Sequence, residues 1–265
     1  MDGIRIIEHS STSSLVCYIE SFSEDLKNEI KAQLVSICHG ESKIDSPSSI
    51  YSYKETLKEF CKRYERKSLN TKKGMIGELL SHIIIQNKIN KFKPASPYFN
   101  MEEGGVKKGF DLVLFDKDSQ SIWITEVKAG ESGRNDSNKK NLYLINKAKK
   151  DLTIRLNKQE VSIWYNAING ASLALKKGKV KDQINTILVS IAENTISGNS
   201  SSRDKNVILT SVLFNTFHKK ISLNKLDKKR REIINEKMFG NIIVFSIQKE
   251  TYRRVADFLK DEASR

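Results

Sequence analysis

Three ionisable residues lie at the ends of two apolar runs that otherwise have the composition of buried strands. The segment GFDLVLFDKDSQSIWITEVKAG, residues 109–130, has Asp111 at the start of the first run, and Glu126 and Lys128 at the end of the second. Opposed residues of an antiparallel hairpin share a face. A two-residue turn at 118–119 therefore places Asp111 directly across from Glu126, with Lys128 on the same face. A shift of one residue would send the two carboxylates to opposite faces.

This arrangement predicts a metal-dependent phosphodiesterase site. Two adjacent carboxylates repel each other unless a cation lies between them, and hard oxygen ligands favour Mg²⁺ or Mn²⁺. Such an ion activates water and stabilises the charge that develops at phosphorus, while a nearby lysine binds phosphate or orients or deprotonates the water. The alternative is structural: Glu126 and Lys128 form a surface ion pair, and Asp111 binds backbone amides. A motif this short has that outcome in most proteins.

The hydrophobic pattern around the hairpin predicts an α/β protein whose sheet is covered on both faces. Ser23 and Gly40 are expected to begin and end the first helix. A linker is expected at 41–49, a break between helices at 68–73, and a loop at 93–109. The predicted helices are 23–40, 53–67, 73–89, 138–158, most of 160–196 and 249–262. Besides the hairpin, the predicted strands are 3–7 or 14–19, 206–216 and 241–247. The charged run 225–237 fits a salt-bridged surface helix.

Composition points to a polyanionic partner. The 265 residues include 46 Lys and Arg against 32 Asp and Glu, a net charge of +14, which is typical of proteins that bind nucleic acid. Lysine-rich proteomes also produce basic proteins without such a partner. We expect no membrane span, and the amino terminus lacks a signal-peptide pattern. The three cysteines, Cys17, Cys38 and Cys61, are expected to be reduced, as in a cytoplasmic protein.

The same residues carry a family resemblance. GFDLVLF…ITEVKAG, preceded by KGMIGELLSHIII, resembles the PD-(D/E)XK nuclease superfamily, whose αβββαβ core carries an E…D…ExK pattern. More narrowly, the chain resembles HamA, the nuclease subunit of bacterial Hachiman anti-phage systems, which acts with the helicase HamB. The resemblance implies a restriction-endonuclease-like core with a mixed sheet flanked by helices. Gly109-Phe110 precedes Asp111 where many relatives have proline, a departure that is common in the superfamily.

The resemblance also assigns roles. Asp111 and Glu126 would bind Mg²⁺ or Mn²⁺ together with the backbone carbonyl of Val127, and Lys128 would be the catalytic lysine. Glu78 matches the acid that the first helix contributes to the metal site, directly or through water. On periodicity alone Glu78 is equally well a solvated residue, with Gly77 allowing close approach to neighbouring chain. His82, one turn further on, fits a structural role better than a ligand role.

A basic helix follows the hairpin. We expect it to contact DNA phosphates without reading sequence, and Lys147 is the residue we expect beside the active site; a solvated face is the alternative. The residues predicted to bind nucleic acid are Lys139, Lys140, Lys147, Lys150 and Arg155.

The sequence therefore predicts a Mg²⁺-dependent DNA endonuclease that serves a defence complex with a helicase. Residues 66–265 would form the nuclease-like domain, and 1–65 a segment that docks the helicase or covers the site. Two alternatives stay open. One is a catalytically degenerate subunit that binds DNA or regulates the helicase. The other is a restriction-type endonuclease that acts alone.

Overall fold

The computed structural model describes residues 1–9, 13–99, 109–132 and 136–265, and within these ranges seven strands form one mixed sheet. The strands are β1 Ile4–Glu8, β2 Ser14–Ile19, β3 Phe92–Pro94, β4 Leu112–Asp116, β5 Ser121–Glu131, β6 Asn206–Phe214 and β7 Ile242–Lys249. The helices are α1 Glu24–His39, α2 Tyr53–Glu65, α3 Leu69–Lys88, α4 Ser137–Asn157, α5 Ser162–Ala174, α6 Lys179–Ile196, α7 Leu223–Asn235 and α8 Arg253–Ala263.

The sheet has the order β1-β2-β7-β6-β5-β4-β3. Strands β2, β7, β6 and β5 are parallel to one another, while β1 at one edge and β4 and β3 at the other add antiparallel pairs. Parallel neighbours require crossover connections, which is why helices separate β5, β6 and β7 along the chain. The predicted α/β class is confirmed.

Helices cover both faces of the sheet, so that two apolar cores lie on either side of it. One core joins α1, α2, α3 and α8 to the sheet, and the other joins α4, α5, α6 and α7. Because side chains alternate along a strand, Leu15 and Cys17 of β2 belong to the first core, and Val16 and Tyr18 to the second. In the part of the chain that is described, no helix is long and apolar enough to cross a membrane.

The hairpin has the predicted register with a wider turn. Leu112 pairs with Thr125 and Asp116 with Ser121, so residues 117–120 form a four-residue connection centred on the predicted 118–119 turn. In the wider turn the Asp116 carboxylate accepts hydrogen bonds from the amides of residues 118 and 119, at 3.0 and 3.3 Å.

Several boundaries also follow local chemistry. The Ser23 hydroxyl caps α1, which ends at Gly40 with a φ of 94°, as predicted. The predicted break at 68–73 is wrong, since the Ser68 side chain caps a helix that begins at Leu69. Both candidate segments near the amino terminus are strands.

The predicted loop at 93–109 overlaps β3, and its residues 100–108 lie outside the described part of the chain. Chain order from α3 to β6 is helix, three strands, helix, strand, with α5 and α6 added after α4. This is the element order that the resemblance implies. The predicted division at residue 65 falls between α2 and α3, whereas the sheet and the first core extend across it, since β2 lies between β1 and β7.

Gly77 fixes the distance between α3 and the sheet. A Cβ placed there would lie 2.7 Å from the Cβ of Ala129 on β5 and 3.4 Å from that of Val212 on β6. The close approach expected at this glycine is therefore present. Gly74, one turn earlier in α3, has open space around it.

These two glycines give a matched test of helix packing. Gly77→Ala should destabilise the protein by about 1–3 kcal/mol, because the added methyl forces α3 away from β5. Gly74→Ala should stabilise it by about 0.5–1 kcal/mol through helix propensity alone. Urea unfolding of both variants measures the difference, and equal stability of the two would contradict the packing described.

Candidate active site

Asp111 and Glu126 meet where β4 separates from β5. The last residue pair of the ladder is Leu112 with Thr125, and the next positions along the two strands are Asp111 and Glu126. The Asp111 Oδ2 atom accepts a hydrogen bond from the Val127 amide at 2.7 Å. Since the amide and carbonyl of one strand residue point to the same side, the Val127 carbonyl is directed to the same gap. The predicted opposition of the two acids is present.

Glu126 is fully buried and is bound by two cations. Its Oε1 atom accepts a hydrogen bond from Lys128 Nζ at 2.6 Å, and its Oε2 atom accepts one from Arg155 Nη1 at 3.0 Å. Arg155 Nη1 also donates to the Gly109 carbonyl at 3.0 Å. Lys128 makes a second ion pair with Asp151, at 3.0 Å. The site thus joins β5, helix α4 and the chain that enters β4.

The environment of Glu126 favours the protonated form of its carboxyl group. Burial is the main cause that raises the pKa of Glu126, to about 7, and the Asp111 charge adds to it; Arg155 and Lys128 act in the opposite direction. Burial alone would lower the pKa of Lys128, but Glu126 and Asp151 outweigh burial and raise it. Lys128 is therefore protonated at neutral pH, while Glu126 is held near its titration point.

Glu78 lies on α3, which packs on the opposite face of the sheet from α4. Its charge and that of Asp111 both raise the pKa of Tyr98, for which burial is the largest cause. The two acids are thus both near the Tyr98 hydroxyl. His82 is buried, with its ring 6.0 Å from that of Tyr98 in an edge contact, which fits the structural role expected for it.

The basic residue of α4 that bonds to Glu126 is Arg155, whereas the placing of Lys147 beside the site stays a prediction. Lys147 lies two turns earlier and is exposed. Lys139 and Lys150 are also exposed, and Lys140 is half-buried, with its ammonium 4.9 Å from the centre of the Tyr143 ring. Of the five predicted nucleic-acid-binding residues, Arg155 is the one that bonds to Glu126, and contact of all five with DNA stays a prediction.

Sequence reasoning missed Asp151 as a site residue. A signal was present, because Asp151 is the one acid in the basic segment 138–158. Its position one turn before Arg155 places both side chains on the helix face that meets β5. Asp151 forms an ion pair with Lys128, and its side chain is 35% exposed. The chain of contacts from the buried Glu126 through Lys128 to Asp151 therefore ends at the solvent.

The residues present fit a divalent cation of the Mg²⁺ type. Within the described residues, no three His, Cys, Asp or Glu side chains form a group that could hold a metal ion, so Glu78 is not gathered with Asp111 and Glu126 into such a group. Mg²⁺, however, is commonly held by one or two carboxylates, with water and phosphate completing its coordination. Asp111, Glu126 and the Val127 carbonyl supply hard oxygen donors. Burial is the main cause that raises the pKa of Glu126, and the like charge of Asp111, which adds to it, is a charge that a cation would offset.

The raised pKa predicts how stability depends on pH. Between the usual value of 4.5 and about 7, folded Glu126 keeps a proton that the unfolded chain releases, so rising pH favours unfolding. Wild type should lose stability relative to Glu126→Gln by up to about 1.4 kcal/mol per pH unit in this window. Urea unfolding in EDTA measures this difference. For Glu131→Gln, at the exposed end of the same strand, the free energy of unfolding should differ from that of wild type by the same amount at every pH. A pH-independent difference in unfolding free energy between wild type and Glu126→Gln would refute the prediction.

Comparison with known proteins adds an independent finding. The model of the HamA family matches residues 4–263, which is nearly the whole chain and includes every residue of the site. Among curated proteins, no match to this sequence is found. A match of this extent shows that the chain belongs to the HamA family of Hachiman-type defence proteins.

Proposed function

We propose that this protein is a Mg²⁺-dependent DNA nuclease, with a PD-(D/E)XK-type site, and is the effector of a cytoplasmic defence complex with a HamB-like helicase. The observation that carries the proposal is the meeting of Asp111 and Glu126 across the hairpin, with Lys128 on the same face. Family membership supports the defence role. The net charge of +14 supports DNA as the substrate.

Each side chain has a role in this proposal. Asp111, Glu126 and the Val127 carbonyl would hold Mg²⁺, which supplies an activated water and stabilises charge on the phosphate. Glu78 would reach the ion through water. Since its pKa is raised, Lys128 serves as a cation that orients the water and neutralises the phosphate, not as the base.

Arg155 and Asp151 position the reacting groups. Arg155 fixes the Glu126 carboxylate relative to the Gly109 carbonyl, so the two strands keep their spacing where β4 ends. Asp151 holds the Lys128 ammonium on the side of α4. Both contacts reduce the freedom of groups that must be preorganised for catalysis.

A catalytically degenerate subunit that regulates the helicase is the second candidate. The observation that favours it is the pairing of the Glu126 carboxylate with two cationic side chains of the protein, and of the Asp111 carboxylate with a backbone amide. Such a network stabilises a buried carboxylate by itself. Metal-dependent cleavage by the purified chain separates the two candidates, and discrete fragments instead of a smear would indicate a restriction-type enzyme that acts alone.

Substitution at the site tests the chemistry. Glu126→Gln and Lys128→Ala should each lower Mg²⁺-dependent plasmid cleavage by at least about a hundredfold, since each removes a group needed in the transition state. The assay should use both the chain and its complex with the helicase. Glu131→Gln is the matched control and should cleave like wild type. Unchanged cleavage by either site variant, with the fold intact by circular dichroism, would contradict the proposal.

The exposed lysines of α4 test DNA contact. The double variant Lys147→Gln and Lys150→Gln should weaken DNA binding in EDTA and reduce the slope of log affinity against log salt by about 2, because two phosphate contacts are lost. The control double variant, Lys58→Gln and Lys62→Gln on α2, changes two exposed lysines that lie on the other face of the sheet. Fluorescence anisotropy at several salt concentrations measures both slopes, and equal slopes would show that α4 does not contact DNA.

A further inference from the structure

A pocket of about 390 Å³ opens beside the carboxylate site. Its walls come from the chain at Gly109, from the last turns of α4 and from the start of α5. Arg155 lines this pocket and also donates to Glu126 Oε2 at 3.0 Å. A molecule in the pocket could therefore contact the same side chain that binds Glu126. The volume falls in the range of about 300–1,000 Å³ typical of small-molecule sites, which is far too small for a duplex.

The lining combines three kinds of chemistry. Arg155 and Lys158 are hydrogen-bond donors with positive charge, and Asp151 and Glu160 are acceptors with negative charge. Ile154 and Ile163 provide apolar surface, and Ile154 is 48% exposed. Because the two positive and two negative charges balance, the pocket is not a simple anion site. It fits a molecule that has an anionic end, ring amino groups and a flat apolar face.

The donors are placed to accept such a molecule. The hydrogen bonds that Arg155 makes to described residues use Nη1 and Nη2, which leaves the Nε–H group for a further acceptor. Lys158 makes an ion pair with Glu160 at 3.4 Å, with both side chains more than half exposed, so this pair can open at little cost. Carboxylates accept hydrogen bonds from the amino groups of cytosine and adenine.

We propose that this pocket binds one unpaired nucleotide of a DNA strand, next to the phosphate that the carboxylate site attacks. Its phosphate would contact Arg155 and Lys158, and its base would lie on Ile154. A base inside a duplex is stacked and paired and cannot enter such a pocket without being extruded. The protein therefore prefers single-stranded or unpaired DNA over duplex. This inference rests on the proposed nuclease function and specifies its substrate.

The test measures binding without cleavage. Wild-type protein in EDTA is titrated into a fluorescent single-stranded oligonucleotide and into its duplex, and dAMP is used as a competitor. Ile154→Glu should weaken single-strand binding by about tenfold, because it removes the apolar wall and adds a charge that repels phosphate, whereas duplex binding should weaken by no more than about twofold, through the added charge alone. Ile234→Glu makes the same change at an exposed position of α7 that does not line the pocket, and should match wild type on both probes.

The outcomes separate this inference from the proposed function. Tighter binding to the single strand, its displacement by dAMP and its loss in Ile154→Glu would support the pocket assignment. Equal affinity for both probes, or equal behaviour of the two glutamate variants, would overturn it. Cleavage that depends on Glu126 but shows no strand preference removes only the pocket assignment. Strand-selective binding without metal-dependent cleavage removes the nuclease proposal and leaves the pocket as a binding site.

Discussion

The structure depends on one constraint, the burial of the Glu126 carboxylate at the point where β4 leaves β5. A charged carboxylate without solvent is strongly unfavourable unless charged partners and hydrogen bonds surround it. Here Lys128 and Arg155 supply the partners, and each ties a further part of the protein to the same point. Removal of one partner would leave a buried charge uncompensated, so the acid and its two cations form a single unit.

Strands β4 and β5 separate at Glu126, while β5 remains paired with β6 and packed between helices. Strand β5 pairs with β6 over nine residues, from Trp123 to Glu131, but with β4 only up to Thr125. Beyond that residue no strand of the described part of the chain pairs with this edge of β5, and the Val127 amide there donates to the Asp111 carboxylate. Helix α3 is held against the far face through Gly77, and helix α4 against the near face through Arg155. A gap between two firmly packed helices is a place where catalytic groups can be fixed in advance of substrate.

The sequence predicted those features that depend on residues close together in the chain, such as hairpin register and helix ends. The hairpin register followed from the turn assumed at 118–119, because the position of a turn determines which residues of a hairpin oppose each other. The ends of α1 followed from Ser23 and Gly40. The rotation of α4 about its axis did not follow, because several lysines share its surface and only packing against β5 selects Arg155. The pairing of β2 with β7 could not be predicted either, because the two strands are more than two hundred residues apart in the sequence.

The central claim is that Asp111 and Glu126 share a divalent cation. Its most direct test is a crystal structure of the protein soaked in Mn²⁺, with the ion located by anomalous scattering. The account predicts one peak between the two carboxylates, bonded to an oxygen of each, with Lys128 still on the same face. A structure without that peak, in which Arg155 and Lys128 continue to occupy both oxygens of Glu126 at high Mn²⁺ concentration, would contradict it.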